Sequence, residues 1–274
     1  MLIDFETKFS EYIREYTAEN EVDDEKLEEI APELYLVWLD KPKDWLNGES
    51  PKGYMQSFEV AELISMLGEY KFSDVTVPGV LLNAIADSRD EAYPYLVALI
   101  KNYNGDKSDA IKTTVVRLIE EMDMVRPYAL YIDAISSSQE KNDFAEACAE
   151  ELKNAGAAQK DNIITAYEAA EGDYAPDCFL DILVDMPYDE RIYVFALEKF
   201  LYSDKPKAFY ASCLGKIGNE DALPYLEEAL RSEDITYYEY VSIKNALEEL
   251  GGEIEIDRDF SGDKDYESLK KMGE

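Results

Sequence analysis

Apolar residues recur one helical turn apart along most of this chain, and period-two alternation is nearly absent. Phe5, Phe9, Tyr12 and Ile13 predict a helix within residues 1–20, and an acidic break follows at residues 21–25. Leu27, Ile30, Leu34, Val37 and Trp38 mark a second helix. It ends near Lys41–Pro42, because proline disfavours helix in the residue before it. From residue 58 the pattern is almost continuously helical. Ala61, Ile64, Leu67 and Gly68 share one face of 58–70, and Ser73-Asp74 is positioned to cap a helix holding Val80, Leu81, Ala84 and Ile85. Tyr93, Leu96, Leu99 and Ile100 follow, then Ile111, Val115, Leu118 and Ile119, then Leu130, Tyr131, Ala134 and Ile135. Residues 139–154 carry Phe144, Ala147, Cys148 and Leu152 and stop at Gly156. Further helices are expected over 160–170, 174–185, 188–202 and 205–217. The one strand candidate, 253–256, is too short to found a sheet.

The clearest pattern lies between Gly215 and Gly252. Leu223, Leu226, Ala229 and Leu230 line one helix, and Tyr240, Ile243, Leu247 and Leu250 line the next. Neither stripe is buried by its own helix; each needs the partner helix and the neighbouring pair. Leu223-Pro224-Tyr225-Leu226 has relatives at Tyr93-Pro94-Tyr95-Leu96, Arg126-Pro127-Tyr128-Ala129 and Ala175-Pro176-Asp177-Cys178. Proline is tolerated in a first turn, where amides have few intrahelical acceptors. The prolines at 94, 127, 176 and 224 are unevenly spaced, so the array is irregular.

Leu214-Gly215-Lys216-Ile217-Gly218, Asn219 to Leu230 and Ala246 to Gly251 together resemble the HEAT-like repeat family of helical solenoids. The resemblance implies an all-α chain, an irregular right-handed α–α superhelix of helix pairs with a divergent helical N-terminus. It also implies a surface that grips a protein or peptide, and it brings no catalytic residues. The chain then divides into a helical N-terminal region (1–57), HEAT-like helical repeats (58–252) and an acidic C-terminal tail (253–274).

Charge narrows the partners. Sixty-one acidic residues against 27 basic ones give a net charge of −34. Such a chain repels nucleic acids and anionic membranes, so direct binding to either is not expected. No window is apolar enough to span a bilayer, and residues 1–12 have acids where a signal peptide needs bases; the chain reads as cytoplasmic. Cys148, Cys178 and Cys213 are widely spaced and read as free thiols. Histidine is absent, which removes the commonest general base and zinc ligand.

Three groups of candidate residues remain. The loop 41–55, rich in Pro, Gly, Asn and Ser, carries Trp45 and Tyr54 as a core cap or a partner contact. Tyr237, Tyr238 and Tyr240 crowd one helix start, and one helix cannot bury all three. Asp257, Asp259, Ser261, Asp263 and Asp265 alternate around Gly262 like the start of a calcium loop, although Ser268 stands where a bidentate Glu belongs. A solvated acidic tail is the favoured reading there. No cofactor is indicated. The function expected is a non-enzymatic scaffold binding a protein with a basic surface. The alternatives are a nucleic-acid-mimicking inhibitor of a DNA- or RNA-binding protein and an enzyme with a carboxylate-based site.

Overall fold

The computed structural model describes residues 2–105, 107–254, 256 and 258–272, and every regular element among them is helical. The chain divides by contacts into two compact units, Met1–Leu130 with Asn142–Ala147, and Tyr131–Lys141 with Cys148–Glu274.

The first unit opens with α1 (Phe5–Asn20) and α2 (Asp24–Asp40), whose first amides are capped by the side chains of Asp4 and Asp23. The predicted loop 41–55 holds one 3₁₀ turn at Asp44–Leu46 and then a short helix, α3 (Pro51–Gln56). Ser50-Pro51, inside that predicted loop, is a helix start: Ser50 Oγ accepts from the Gly53 amide, and Pro51 takes the first helical position. α4 (Val60–Phe72) buries Val60, Leu63, Leu67 and Tyr70. The expected face of Ala61, Ile64 and Gly68 is therefore turned by about one residue; only Leu67 belongs to both stripes. Ser73 does not cap the next helix. Its amide closes α4 on the carbonyls of Glu69 and Tyr70, and α5 (Gly79–Asp87) begins after Pro78. α6 (Arg89–Asn102) and α7 (Ser108–Glu121) complete the unit. α4 packs with α5 and α6 with α7, while α4 lies against α6 and α5 against α7.

α8 (Tyr128–Ser137) and α9 (Asp143–Ala155) are each divided between the units. The second unit continues with α10 (Lys160–Ala169), α11 (Tyr174–Leu183), α12 (Glu190–Tyr202) and α13 (Ala208–Ile217). Then come α14 (Leu223–Arg231), α15 (Tyr237–Glu249) and a last helix, α16 (Lys264–Met272). α10 pairs with α11, α12 with α13 and α14 with α15. The core is built from the residues that share the apolar stripes: Phe179, Leu183, Leu214, Leu226, Leu230, Ile243 and Leu247 are fully buried.

The tightest joint is between α13 and α15. Gly215 faces α15 so closely that a Cβ there would meet Ala246 Cα at 3.0 Å and overlap the Glu249 carboxylate. Gly218, at φ +75°, ends α13 in the left-handed region. The two glycines at the start of the recurring motif, Gly215 and Gly218, thus do different work: one permits close packing, the other ends a helix. Gly215→Val is expected to cost about 1–3 kcal/mol, because backbone cannot yield as a side-chain tip can. Urea unfolding should show a lower midpoint; an unchanged midpoint would contradict this packing.

Candidate interaction surfaces

Ion pairs tie the helices of the second unit at a recurring distance along the chain. Lys153 of α9 reaches Asp181 (2.7 Å) and Asp185 (3.4 Å) at the far end of α11, and Lys216 of α13 reaches the same Asp185 (3.1 Å). Lys205, just before α13, binds Asp177 in the first turn of α11 (2.6 Å) and Asp173 before it (3.5 Å), and the Tyr210 hydroxyl donates to Asp177 (2.9 Å). Arg191 of α12 bridges Asp161 of α10 (2.7 Å) and Asp189 (2.8 Å). The Lys207 amide donates to Glu239 in the first turn of α15 (2.7 Å). The inter-helix links lie 28 to 33 residues apart in sequence, about the length of one helix pair.

Hydrogen bonds from the Arg191 side chain hold Asp189 well below the ordinary carboxylate range. Burial opposes ionisation of Glu239, but amide donors from Thr236 and Lys207 outweigh it and lower its pKa. Asp4, Asp259 and Asp263 are also lowered, chiefly by hydrogen bonds from neighbouring backbone or side chains. Burial pushes the Cys213 thiol up to about 12, so it is a poor nucleophile at neutral pH.

Trp45 and Tyr54 sit in an aromatic cluster of the first unit. Phe5 packs edge-on to Trp45 (5.8 Å between centroids) and lies 6.5 Å from Tyr54; Trp38 is 6.3 Å from Trp45. Lys43 stands over both Tyr12 (5.4 Å) and Trp38 (5.1 Å). Trp45 keeps 39% of its surface exposed at the edge of this cluster. The loop's aromatics thus face inward onto α1 and α2, with one ring edge left to solvent.

The tail folds back onto the tyrosine cluster. Phe260 lies 5.2 Å from Tyr237 and 5.0 Å from Tyr240, and Tyr266 of α16 lies 5.2 Å from Tyr237. The Tyr240 hydroxyl donates to the Ile256 carbonyl. Arg258 donates to the carbonyls of Ser232 and Glu233 just beyond α14, and lies over the Phe260 ring. Tyr237 and Tyr240 are therefore half-buried under the tail, while Tyr238 stays 62% exposed. The residues after Gly252, which the helical pattern treated as tail, include a helix docked on α15.

The calcium-loop residues are used by this arrangement. Asp257 lies outside the described residues. Asp259 accepts from the amide and hydroxyl of Ser261. Asp263 accepts from the amides of Asp265 and Tyr266, capping α16, and also from the Tyr237 amide at the start of α15. One carboxylate thus serves two helix N-termini. Among the described residues no three carboxylate or thiol groups converge as a metal site needs. Among them, too, no helix is long and apolar enough to cross a membrane.

No family model matches the chain, and neither a curated protein nor a solved structure proves similar to it. Of the stripe expected in the second helix, Leu34 and Trp38 are buried but Val37 is 47% exposed; Leu39, outside that stripe, is buried, and Leu36, also outside it, is 61% exposed. The signal was present in the run Leu34-Tyr35-Leu36-Val37-Trp38-Leu39, six apolar residues where a one-sided helix needs half as many.

Two measurements test this description. Asp263→Ala should speed amide exchange across residues 237–240 and 264–272 while leaving 60–121 unchanged; uniform exchange rates would refute the double cap. Because its pKa is lowered on folding, Asp263 supports this dock above the ordinary carboxylate pKa, and the support fades as pH falls through its lowered value. Lys153 and Asp181 are a third or more exposed, so a Lys153→Met, Asp181→Asn double-mutant cycle should give a coupling of about 0.2–1 kcal/mol that shrinks in high salt.

Proposed function

We propose that this chain is an α-solenoid of HEAT-like helix pairs, with the right-handed course that family has, and that it serves as a non-enzymatic scaffold for a protein with a basic surface. The solenoid reading is supported by links between positions about one helix pair apart and by pairs that lie against their sequence neighbours. The binding reading rests on one observation about charge. In the second unit Lys153, Lys160, Arg191, Lys205 and Lys216 are held against carboxylates between neighbouring helices. These five cations are used in assembly, and the acidic surplus of the chain is left without them. A partner carrying clustered Arg or Lys would be drawn in by that field, and acidic competitors would be repelled. A carboxylate-based enzyme is disfavoured because acid–base pairs need one carboxyl raised and one not, whereas among the described residues the carboxyls that depart from their ordinary range, Asp4, Asp189, Glu239, Asp259 and Asp263, are lowered.

The test is capture with the full chain from extract of its source cells, followed by reconstitution from purified components. A discrete partner with net positive charge should be recovered at low salt. Its Kd should rise about tenfold or more between roughly 0.05 M and 0.5 M salt, where screening shortens the range of the field. Absence of any partner, or binding indifferent to salt, overturns the scaffold reading. If the partner binds nucleic acid and releases it when the chain is added, the mimicry reading replaces it.

A further inference from the structure

The first unit has a groove of mixed lining that its own helices do not fill. α2, α3, α5 and the end of α7 line a cavity of about 230 Å³; Leu39, Val80 and Ala84 form its buried apolar floor, and Gln56 and Asn83 add polar groups. Leu36 forms its lip and is 61% exposed; Val37 beside it is 47% exposed. Two adjacent large aliphatic residues turned to solvent on a helix with a well-filled buried face are unfavourable for the isolated chain.

The rim carries charge of one dominant sign. Asp40, Asp87 and Glu121 stand around the opening, with Lys52 on one side. Among the described residues none of the three carboxylates makes an ion pair or a side-chain hydrogen bond. This contrasts with the second unit, where Asp161, Asp177, Asp181, Asp185 and Asp189 are all engaged by cations. An apolar floor inside an unneutralised acidic rim is complementary to a bulky apolar side chain flanked by Arg or Lys. A second copy of the chain is disfavoured by its own charge of −34.

Resting on the scaffold reading, we infer that this groove is the docking site for a segment of a partner protein. That segment presents one large aliphatic or aromatic anchor between basic residues. The anchor fills the groove against Leu39, Val80 and Ala84, Leu36 closes over it, and the flanking cations meet Asp40, Asp87 and Glu121. The volume admits one large side chain, so specificity lies in a single anchor and its flanks rather than in a long contact.

The experiment follows methyl resonances of the full chain during titration with the peptide acetyl-Lys-Arg-Phe-Leu-Lys-Arg-amide. Two controls replace every cation by Glu, or Phe and Leu by Ser. Saturable shifts are expected at the methyls of Leu36, Leu39 and Val80, at least about tenfold weaker binding of the Ser peptide, and none of the Glu peptide. Leu36→Asp, at an exposed position, should weaken binding about tenfold without lowering Tm. The triple variant Asp40→Asn, Asp87→Asn, Glu121→Gln should weaken it about fivefold and flatten its salt dependence, a check that leaves the groove floor intact. Shifts confined to other methyls, equal binding of the Glu peptide, or groove shifts that track protein concentration without peptide overturn the proposal; the last would identify a second copy as the occupant. The same Leu36→Asp chain is then used as bait. Undiminished recovery of the partner seen with the unmodified chain removes the groove and leaves the scaffold. Failure of the unmodified chain to recover any partner removes the scaffold, while the methyl titration still decides the groove.

Discussion

Asp185, held between Lys153 on one side and Lys216 on the other, is the kind of contact on which the second unit depends. Such links join positions 28 to 33 residues apart, on or just before different helices. Apolar stripes are slippery; a lysine that must reach one carboxylate is not. Each link is modest in energy, since the partners are a third or more exposed and water screens them. Stability comes instead from the stripes themselves, from Leu183, Leu214 and Leu247 fully removed from water. The links choose which packed arrangement is adopted, and Gly215 lets two helices come close enough for the arrangement to be tight.

Aromatic rings cover helices near both ends of the described chain. At the start of the chain Phe5, Trp38 and Trp45 pack on one another, and the Tyr70 hydroxyl, pushed up to about 12 by burial, donates to the Ile3 carbonyl and pins the N-terminus. After α15, Phe260 and Tyr266 cover Tyr237 and Tyr240, and Arg258 satisfies carbonyls beyond α14. Broad rings with a polar tip suit such places, where one side must be dry and the other wet.

The helices were legible because each stripe repeats at 3.6 residues, and helix ends were legible where Gly218 marked them. Faces were less so. In α4, Ala61 and Gly68 are small enough to belong to either face, and only packing against α5 and α6 selects Val60 and Leu63 for burial. In α2 the run from Leu34 to Leu39 is apolar all round, so periodicity cannot say which residues stay outside. The ladder was invisible for another reason. Lys153, Asp185 and Lys216 are unremarkable charges until three helices are placed side by side. The docked tail was hidden by its composition: two aromatic rings among carboxylates read as solvated chain, yet those rings are what covers α15.

The same facts bear on what the carboxylates do. A chain this acidic pays in self-repulsion for every folded contact, and the cheapest relief is to set its few cations where repulsion is worst, between packed helices. At Asp189 the Arg191 side chain lowers the carboxylate pKa. Such placement also leaves those cations paired, although they stay partly exposed. Among the described residues Asp40, Asp87 and Glu121 have no ion pair, with Lys52 alone beside them on the rim. Positive charge brought to that rim would relieve their repulsion. An acidic rim around the buried Leu39, Val80 and Ala84 is therefore complementary, in charge and in apolarity together, to the kind of segment proposed above.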